Sequence, residues 1–280
     1  MSLDLTTIGY RTEPHVLEYD WKTTVLYALG VGATHEELDF LYEGRGPRVL
    51  PTFAVVPSYA PVTELFEKAR CDMTKLVHGS QVVRLSKSLP PSGRLETVGI
   101  VTGMFDMKRL AQVFFRTESR LGGELVCETE WSLLIRDAGG FGGARPPKSE
   151  APKVPDRTPD FEITLPTSKE QALLYRLSGD TNPLHADPAF AAEVGFAEGP
   201  ILHGLCTYGV IGRAVLRGAC QGDERRLRAL GAQFRRPVWP GESLRTTGYV
   251  LENGRVALEA FASDKPDPVI TNAWADVAPT

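Results

Sequence analysis

The chain has 280 residues, 42% hydrophobic and 24% charged, which is enough for a sizeable core or two linked domains. Its net charge of −4 argues against a general nucleic-acid binder, which would be strongly basic. No apolar run reaches the ~18 residues of a membrane span; "LPTFAVVPSYAPV" is cut by Pro51, Pro57 and Pro61.

In chain order, the opening "MSLDLTTIGY" carries neither a basic region nor an apolar stretch, so no secretion signal is expected. The first half reads as a helical segment ending near "LYALG" (Leu26–Gly30), an irregular stretch, a central helix and then strands. Those strands are "SQVVRLSKSL", "GRLETVGIVTGMFD", "LAQVFFRTESR" and "LVCETEWSLLI". Residues 139–156, "GGFGGARPPKSEAPKVPD", are too rich in Gly and Pro for a regular element and read as a linker. The expected organisation is therefore a domain over 1–138, a linker over 139–156 and a second domain over 157–280.

The second half repeats the order. "TSKEQALLYRLSG" predicts a helix capped by Thr167 or Ser168 and ended by Gly179, and "ADPAFAAEVG" a short helix with Asp187 as cap and Pro188 first. "ILHGLCTYGVIGRAVL" is apolar on nearly every side, as a buried helix is. Strands follow in "ALGAQFRRPVW", "ESLRTTGYVLE", "GRVALEAFAS" and "PVITNAWADVA". "LYALG" echoes "LYRLS" at Leu174–Ser178, and "LETVG" at Leu95–Gly99 echoes "LRTTG" at Leu244–Gly248. The two pairs are separated alike, 68 positions from Tyr27 to Leu95 and 69 from Tyr175 to Leu244, which points to an internal duplication. A long helix followed by antiparallel strands in each half is an α+β pattern. The C-terminal "VAPT" is not a peroxisomal tripeptide, and Cys71, Cys127, Cys206 and Cys220 form no CxxC pair; a cytoplasmic protein with reduced thiols is expected.

Residues 178–187, "SGDTNPLHAD", gather Asp180, Asn182 and His185 around Pro183. A solvated turn accounts for these residue types. So does a site that handles water, which needs a carboxylate, an amide and an imidazole on a stiff backbone. Metal-site spacings are missing: an EF-hand over "DTNPLHADPAFA" would need Gly and Glu where His185 and Ala191 stand, and no HExxH occurs. There is also no dinucleotide fingerprint, Walker lysine motif or GxSxG.

"YRLSGDTNPLHADPAFAAEVGF" followed by "GPILHGLCTYG" resembles the signature of the MaoC-like, or hydratase 2, family. "LYALGVGA", "LPTFAVVP" and "GGFGGAR" extend the resemblance to the hydratase unit of peroxisomal multifunctional enzymes of type 2. The resemblance implies a double hot-dog fold, two antiparallel sheets each wrapped around a long central helix. It also implies (R)-specific enoyl-CoA hydration and the reverse 3-hydroxyacyl-CoA dehydration. Asp180, Asn182 and His185 would bind the catalytic water, and the Gly204 N–H, at a helix start where amides lack intrahelical acceptors, would hold the thioester oxygen. No metal or cofactor is implied; coenzyme A arrives with an acyl-CoA substrate.

Where the second half reads Ser178-Gly179-Asp180-Thr181-Asn182, the first reads Gly30-Val31-Gly32-Ala33-Thr34, with His35 lacking a carboxylate partner. The first half is thus expected to be silent and to accommodate the acyl chain. His203 is a candidate substrate contact or a structural histidine, His78 reads as structural, and His15 has no evident partner. Of the basic cluster Arg225, Arg226, Arg228, Arg235 and Arg236, the last two are the candidates for gripping coenzyme A phosphates; the alternative is a solvated edge. Other readings are a dehydratase on carrier-protein-bound chains, a hot-dog thioesterase and a non-catalytic acyl binder. Pairing of the halves supplies the interface that single hot dogs obtain by dimerising, and a homodimer of the whole chain stays open.

Overall fold

The computed structural model describes residues 2–252 and 254–279. In the first half, β1 (His15–Tyr19) leads into α1 (Trp21–Gly30), whose N-terminal amides are capped by the Asp20 carboxylate. A short α2 (Leu38–Leu41) follows, then a 3-10 helix over Pro51–Ser58 that runs into α3 (Tyr59–Lys68). The sheet strands are β2 (Leu76–Leu85), β3 (Gly93–Met107), β4 (Leu110–Leu121) and β5 (Glu124–Arg136). The second half matches it with β6 (Phe161–Pro166), α4 (Gln171–Tyr175), α5 (Pro188–Glu193), α6 (Gly204–Gly218), β7 (Leu227–Phe234), β8 (Ser243–Val250), β9 (Arg255–Ala262) and β10 (Pro268–Val277).

The strands run β1-β3-β4-β5-β2-β7-β10-β9-β8-β6, so each half repeats one order as a mirror of the other about a β2–β7 seam. The two expected sheets are one ten-stranded sheet, joined by antiparallel pairing from Ser80 opposite Gln233 to Arg84 opposite Ala229. The echoed motifs land on equivalent strands: Leu95 of β3 and Leu244 of β8 are both fully buried. Alternation in β4 shows the sheet's two-sided character, with Ala111, Val113, Phe115, Thr117 and Ser119 buried and their neighbours half-exposed.

Helix α6 is the buried axis of the second half, with every residue from Leu205 to Leu216 buried. At Gly209 an added Cβ would lie 2.3 Å from Val31, so only glycine lets α6 pass this close to the end of α1. The first half's central helix differs from expectation. Its first eight residues are 3-10 and only Tyr59–Lys68 is α, because Pro51 and Pro57 cannot donate to a regular ladder. The α4 helix also starts later than a Thr167 or Ser168 cap would place it, since the Thr167 hydroxyl accepts the Gly241 N–H at 3.0 Å instead and donates to the Glu242 carbonyl at 2.7 Å. Asp187 caps α5 as expected, accepting from Ala189 and Phe190.

Residues 139–156 form no regular element, yet the stretch is tethered at both ends. The Asp106 carboxylate accepts from the Gly140 and Gly142 amides at 3.0 and 2.6 Å, and Glu150 pairs with Arg84 at 2.7 Å. A buried ion pair also joins the halves. Arg213, on α6, donates to both carboxylate oxygens of Glu37 from the first half and, at 3.0 Å, to the Val31 carbonyl.

Candidate active site

The chain leaves α4 through one 3-10 turn and reaches Gly179, whose φ of 129° ends the helix. The ring of Tyr59 lies so close that a Cβ at Gly179 would sit 2.8 Å from it, so position 179 must be glycine on two counts. Asp180 follows, and its carboxylate accepts the Asn182 N–H at 3.2 Å. Asn182 in turn uses its side-chain carbonyl to accept the Leu184 N–H at 3.0 Å, the Asx turn that starts the 3-10 helix Pro183–His185. Only the amide NH₂ of the exposed Asn182 is then left to orient a bound molecule.

His185 is 8% exposed, and its Nδ1 lies 2.8 Å from the Ile201 carbonyl. A carbonyl only accepts, so Nδ1 carries the hydrogen and Nε2 holds a free lone pair. Burial pushes the His185 pKa below its usual 6.5, with the Asp180 charge acting against the shift, so the ring is neutral at pH 7. Asp180, His185 and His203 present nitrogen or oxygen atoms all within 4.8 Å of one another. Such a set meets the distance needed for a metal. However, the two imidazoles stack at 3.8 Å with 29° between planes, so their in-plane lone pairs run side by side and converge poorly on an ion. The carboxylate and the neutral Nε2 form a better receptor for the two hydrogens of one water.

Gly204 opens α6 immediately after His203, and its position leaves its N–H without an intrahelical acceptor. The Phe234 ring packs against it, 3.4 Å from where a Cβ would be. His78 lies between Phe234 and Trp131, stacked on the indole at 4.9 Å and 4°, with its Nε2 donating to the Ser80 carbonyl at 3.1 Å. Burial lowers the His78 pKa to about 4. Trp131 is fixed by its indole N–H on the Thr129 hydroxyl at 2.9 Å, and Tyr59 meets it edge-on at 5.7 Å. The Tyr59 hydroxyl bonds to that of Tyr175 at 3.0 Å, and Tyr175 leans on His203. The aromatic set around Asp180 and Gly204 therefore takes Tyr59, His78 and Trp131 from the first half. No spacing in the sequence marks them, because they arrive across the β2–β7 seam.

The basic cluster is divided by its own strand. Arg225, Arg226 and Arg228 lie at the start of β7 and Arg235 and Arg236 beyond its end, roughly 25 Å apart. Arg225 is held by Asp223 and Arg226 by the Ala278 carbonyl. Beside the site, Arg236 pairs with Asp267 at 2.7 Å, while exposed Arg235 follows Phe234 directly. His15 has a partner that the sequence did not reveal, the Glu64 carboxylate at 2.8 Å.

Residues 150–272 match the family described as MaoC like domain, and residues 17–137 match that described as MFE-2 hydratase 2 N-terminal domain. The chain is 42% identical to a 3-hydroxyacyl-thioester dehydratase Y of Mycobacterium tuberculosis, covering 94% of each protein. To a peroxisomal enoyl-CoA hydratase 2 of Arabidopsis thaliana it is 35% identical, over 90% of this chain and 88% of the other. Among solved structures, a MaoC-like dehydratase from Phytophthora capsici superposes with a TM-score of 0.88 at 27% identity, covering 98% of each chain. At the level of fold alone, a Mycobacterium tuberculosis protein described as a double hot dog matches with a TM-score of 0.59 at 14% identity, over 97% of this chain and 96% of that one.

Proposed function

The chain belongs to the MaoC-like, hydratase 2 family, and from that membership we propose that it is an (R)-specific enoyl-CoA hydratase, working in reverse as a 3-hydroxyacyl-CoA dehydratase. The observation that carries this reading is the gathering of the Asp180 carboxylate and the His185 imidazole, whose Nε2 lone pair is free, within 4.8 Å of each other and next to the exposed-amide end of α6. One water donating to both is left with a lone pair free to attack C3 of a trans-2-enoyl thioester. As the C3–O bond forms, electrons move through C2 to the thioester oxygen, where the Gly204 N–H and the helix dipole stabilise the charge. The proton taken from water by the pair returns to C2 on the same face, which gives syn addition. Asn182 contributes its NH₂ to the alignment. No cofactor enters beyond the coenzyme A of the substrate.

We read residues 1–138 and 157–280 as two hot-dog units joined by 139–156, with catalysis confined to the second. The first unit's Tyr59, His78 and Trp131 support a role in shaping the acyl slot. Trp131→Leu should change the ratio of kcat/KM between long and short enoyl-CoAs by about tenfold, the scale of one methylene in a hydrophobic pocket. An unaltered ratio would refute it. Arg235, unpaired among the described residues, fits a grip on coenzyme A phosphate, with Arg236 as a further candidate substrate contact. Four free cysteines, three of them buried, fit a reducing cytoplasmic setting. Among the described residues no helix is long and apolar enough to cross a membrane.

Turnover of trans-2-enoyl-CoAs of graded length, with chiral analysis of the product, tests the function. (R)-3-hydroxyacyl-CoA is expected. Release of free thiol would mean a thioesterase, binding without turnover an acyl binder, and activity only on carrier-protein thioesters a different handle. Because burial keeps the His185 pKa below 6.5, kcat/KM should stay level from neutrality down past pH 6.5 and fall only at more acid pH, as Nε2 gains a proton. An acid limb centred above 6.5 in the pH–rate profile would contradict that assignment.

A further inference from the structure

We propose that His203 is a positioning residue: its ring N–H holds the Asp180 peptide, and thereby aims the Asp180 carboxylate at the water it shares with His185. The inference rests on the reading of Asp180 and His185 as the water-handling pair. His203 is 1% exposed, and as N-cap of α6 (φ −58°, ψ 137°) it projects its ring off the end of the helix. Its Nε2 lies 3.1 Å from the Asp180 carbonyl oxygen, an acceptor, so Nε2 carries the hydrogen. The ring is packed between His185 at 3.8 Å and Tyr175 at 4.9 Å.

The other ring nitrogen marks the purpose. Nδ1 is buried with no hydrogen-bond partner among the described residues, and an unpaired polar atom in a protein interior costs stability. A leucine would fill the space without that cost, so the imidazole is retained for the donor on its far side. Asp180 needs such a donor because it lies in irregular chain directly after Gly179 and has no ladder to fix its peptide. The charged and titratable groups facing the ring are His185, Asp180, Tyr175 and Arg176. Burial keeps the His203 pKa down at about 2, so the ring is neutral at working pH, and the Asp180 carbonyl fixes its hydrogen on Nε2. With both faces covered and its hydrogen committed, His203 acts on the substrate only through Asp180.

The test pairs His203→Leu, which lacks a donor, with His203→Gln, whose amide nitrogen reaches the place of Nε2. On an enoyl-CoA turned over by the wild type, His203→Leu should lower kcat by about 10²-fold, the cost of a misplaced catalytic group, with KM within about threefold. His203→Gln should recover at least about tenfold of that loss. A Leu variant as fast as wild type, a Gln variant as slow as Leu with an unchanged melting temperature, or a loss carried by KM would overturn the proposal. Imidazole ¹⁵N NMR of the wild type tests the donor without turnover or mutation. His203 should remain a neutral Nε2–H tautomer from about pH 5 to 8; an Nδ1–H form, or titration in that range, would overturn it. A wild type inert toward every enoyl thioester would instead refute the functional reading, while the NMR result still decides whether His203 donates.

Discussion

Asp180→Asn should lower kcat for enoyl-CoA hydration by about 10²–10⁴-fold while leaving the melting temperature almost unchanged. The substitution is isosteric. The side-chain oxygen can still accept the Asn182 N–H, and the His203 contact is to the backbone, so neither bond that shapes the loop is removed. What disappears is the negative charge and one of the two acceptors offered to water. The neutral His185 ring cannot replace it, since one Nε2 lone pair binds one hydrogen. Steady-state kinetics beside a thermal melt would check this. Activity within a few-fold of wild type would mean that the carboxylate is no part of the chemistry.

The second large effect concerns stability. Glu37→Ala should destabilise the protein by about 3–5 kcal/mol, because it leaves the Arg213 guanidinium charged and without its counter-ion in the interior. Arg213 has a side chain only 1% exposed and Glu37 one 12% exposed, so solvent cannot substitute for the lost partner. The neighbouring Arg217, 3.2 Å from Glu37, adds to the imbalance. A fall in melting temperature on the order of 10 °C is expected for a chain of this size. Replacing both members, Glu37→Leu with Arg213→Met, should restore much of the loss, since paired burial is itself expensive. If the double variant were no better than Glu37→Ala, lost packing rather than charge would be the cause. The pair also predicts acid sensitivity. Burial alone would raise the Glu37 pKa, but the Arg213 hydrogen bonds and charge overcome it and hold the carboxyl below 4.5. A depressed acid contributes in full above its unfolded value and loses that contribution as pH falls through its folded value. Wild type should therefore lose stability below about pH 4.5 more steeply than the double variant.

The repeated order, the loop carrying Asp180 and His185, and the buried helix were legible in the sequence, because each is written in contiguous residues. Gly179, Asp187 and Pro188 are local stop and start signals, and they sit where such signals belong. The L-x-T-x-G echo was legible because Leu95 and Leu244 face the same layer of one repeated design. What escaped was set by distance along the chain. Tyr59 meets Tyr175 across 116 positions, and no spacing rule connects them. The Thr167 hydroxyl oxygen could have accepted from a helix N–H, but tertiary structure took it: it accepts the Gly241 N–H and donates to the Glu242 carbonyl. The basic cluster misled for the opposite reason: residues close in number were separated by an extended strand.

The shared sheet has a further consequence. In a symmetric pair of identical hot dogs every substitution appears twice, so a residue adapted to serve one pocket would be imposed on both. Joining the two halves in one chain, paired along the β2–β7 seam, removes that constraint, since each position occurs once. Residues 30–34 need not match 178–182, and Tyr59 is free to meet Tyr175 of the other half without a counterpart doing the same. Division of labour between the halves follows from writing the partner into the same gene.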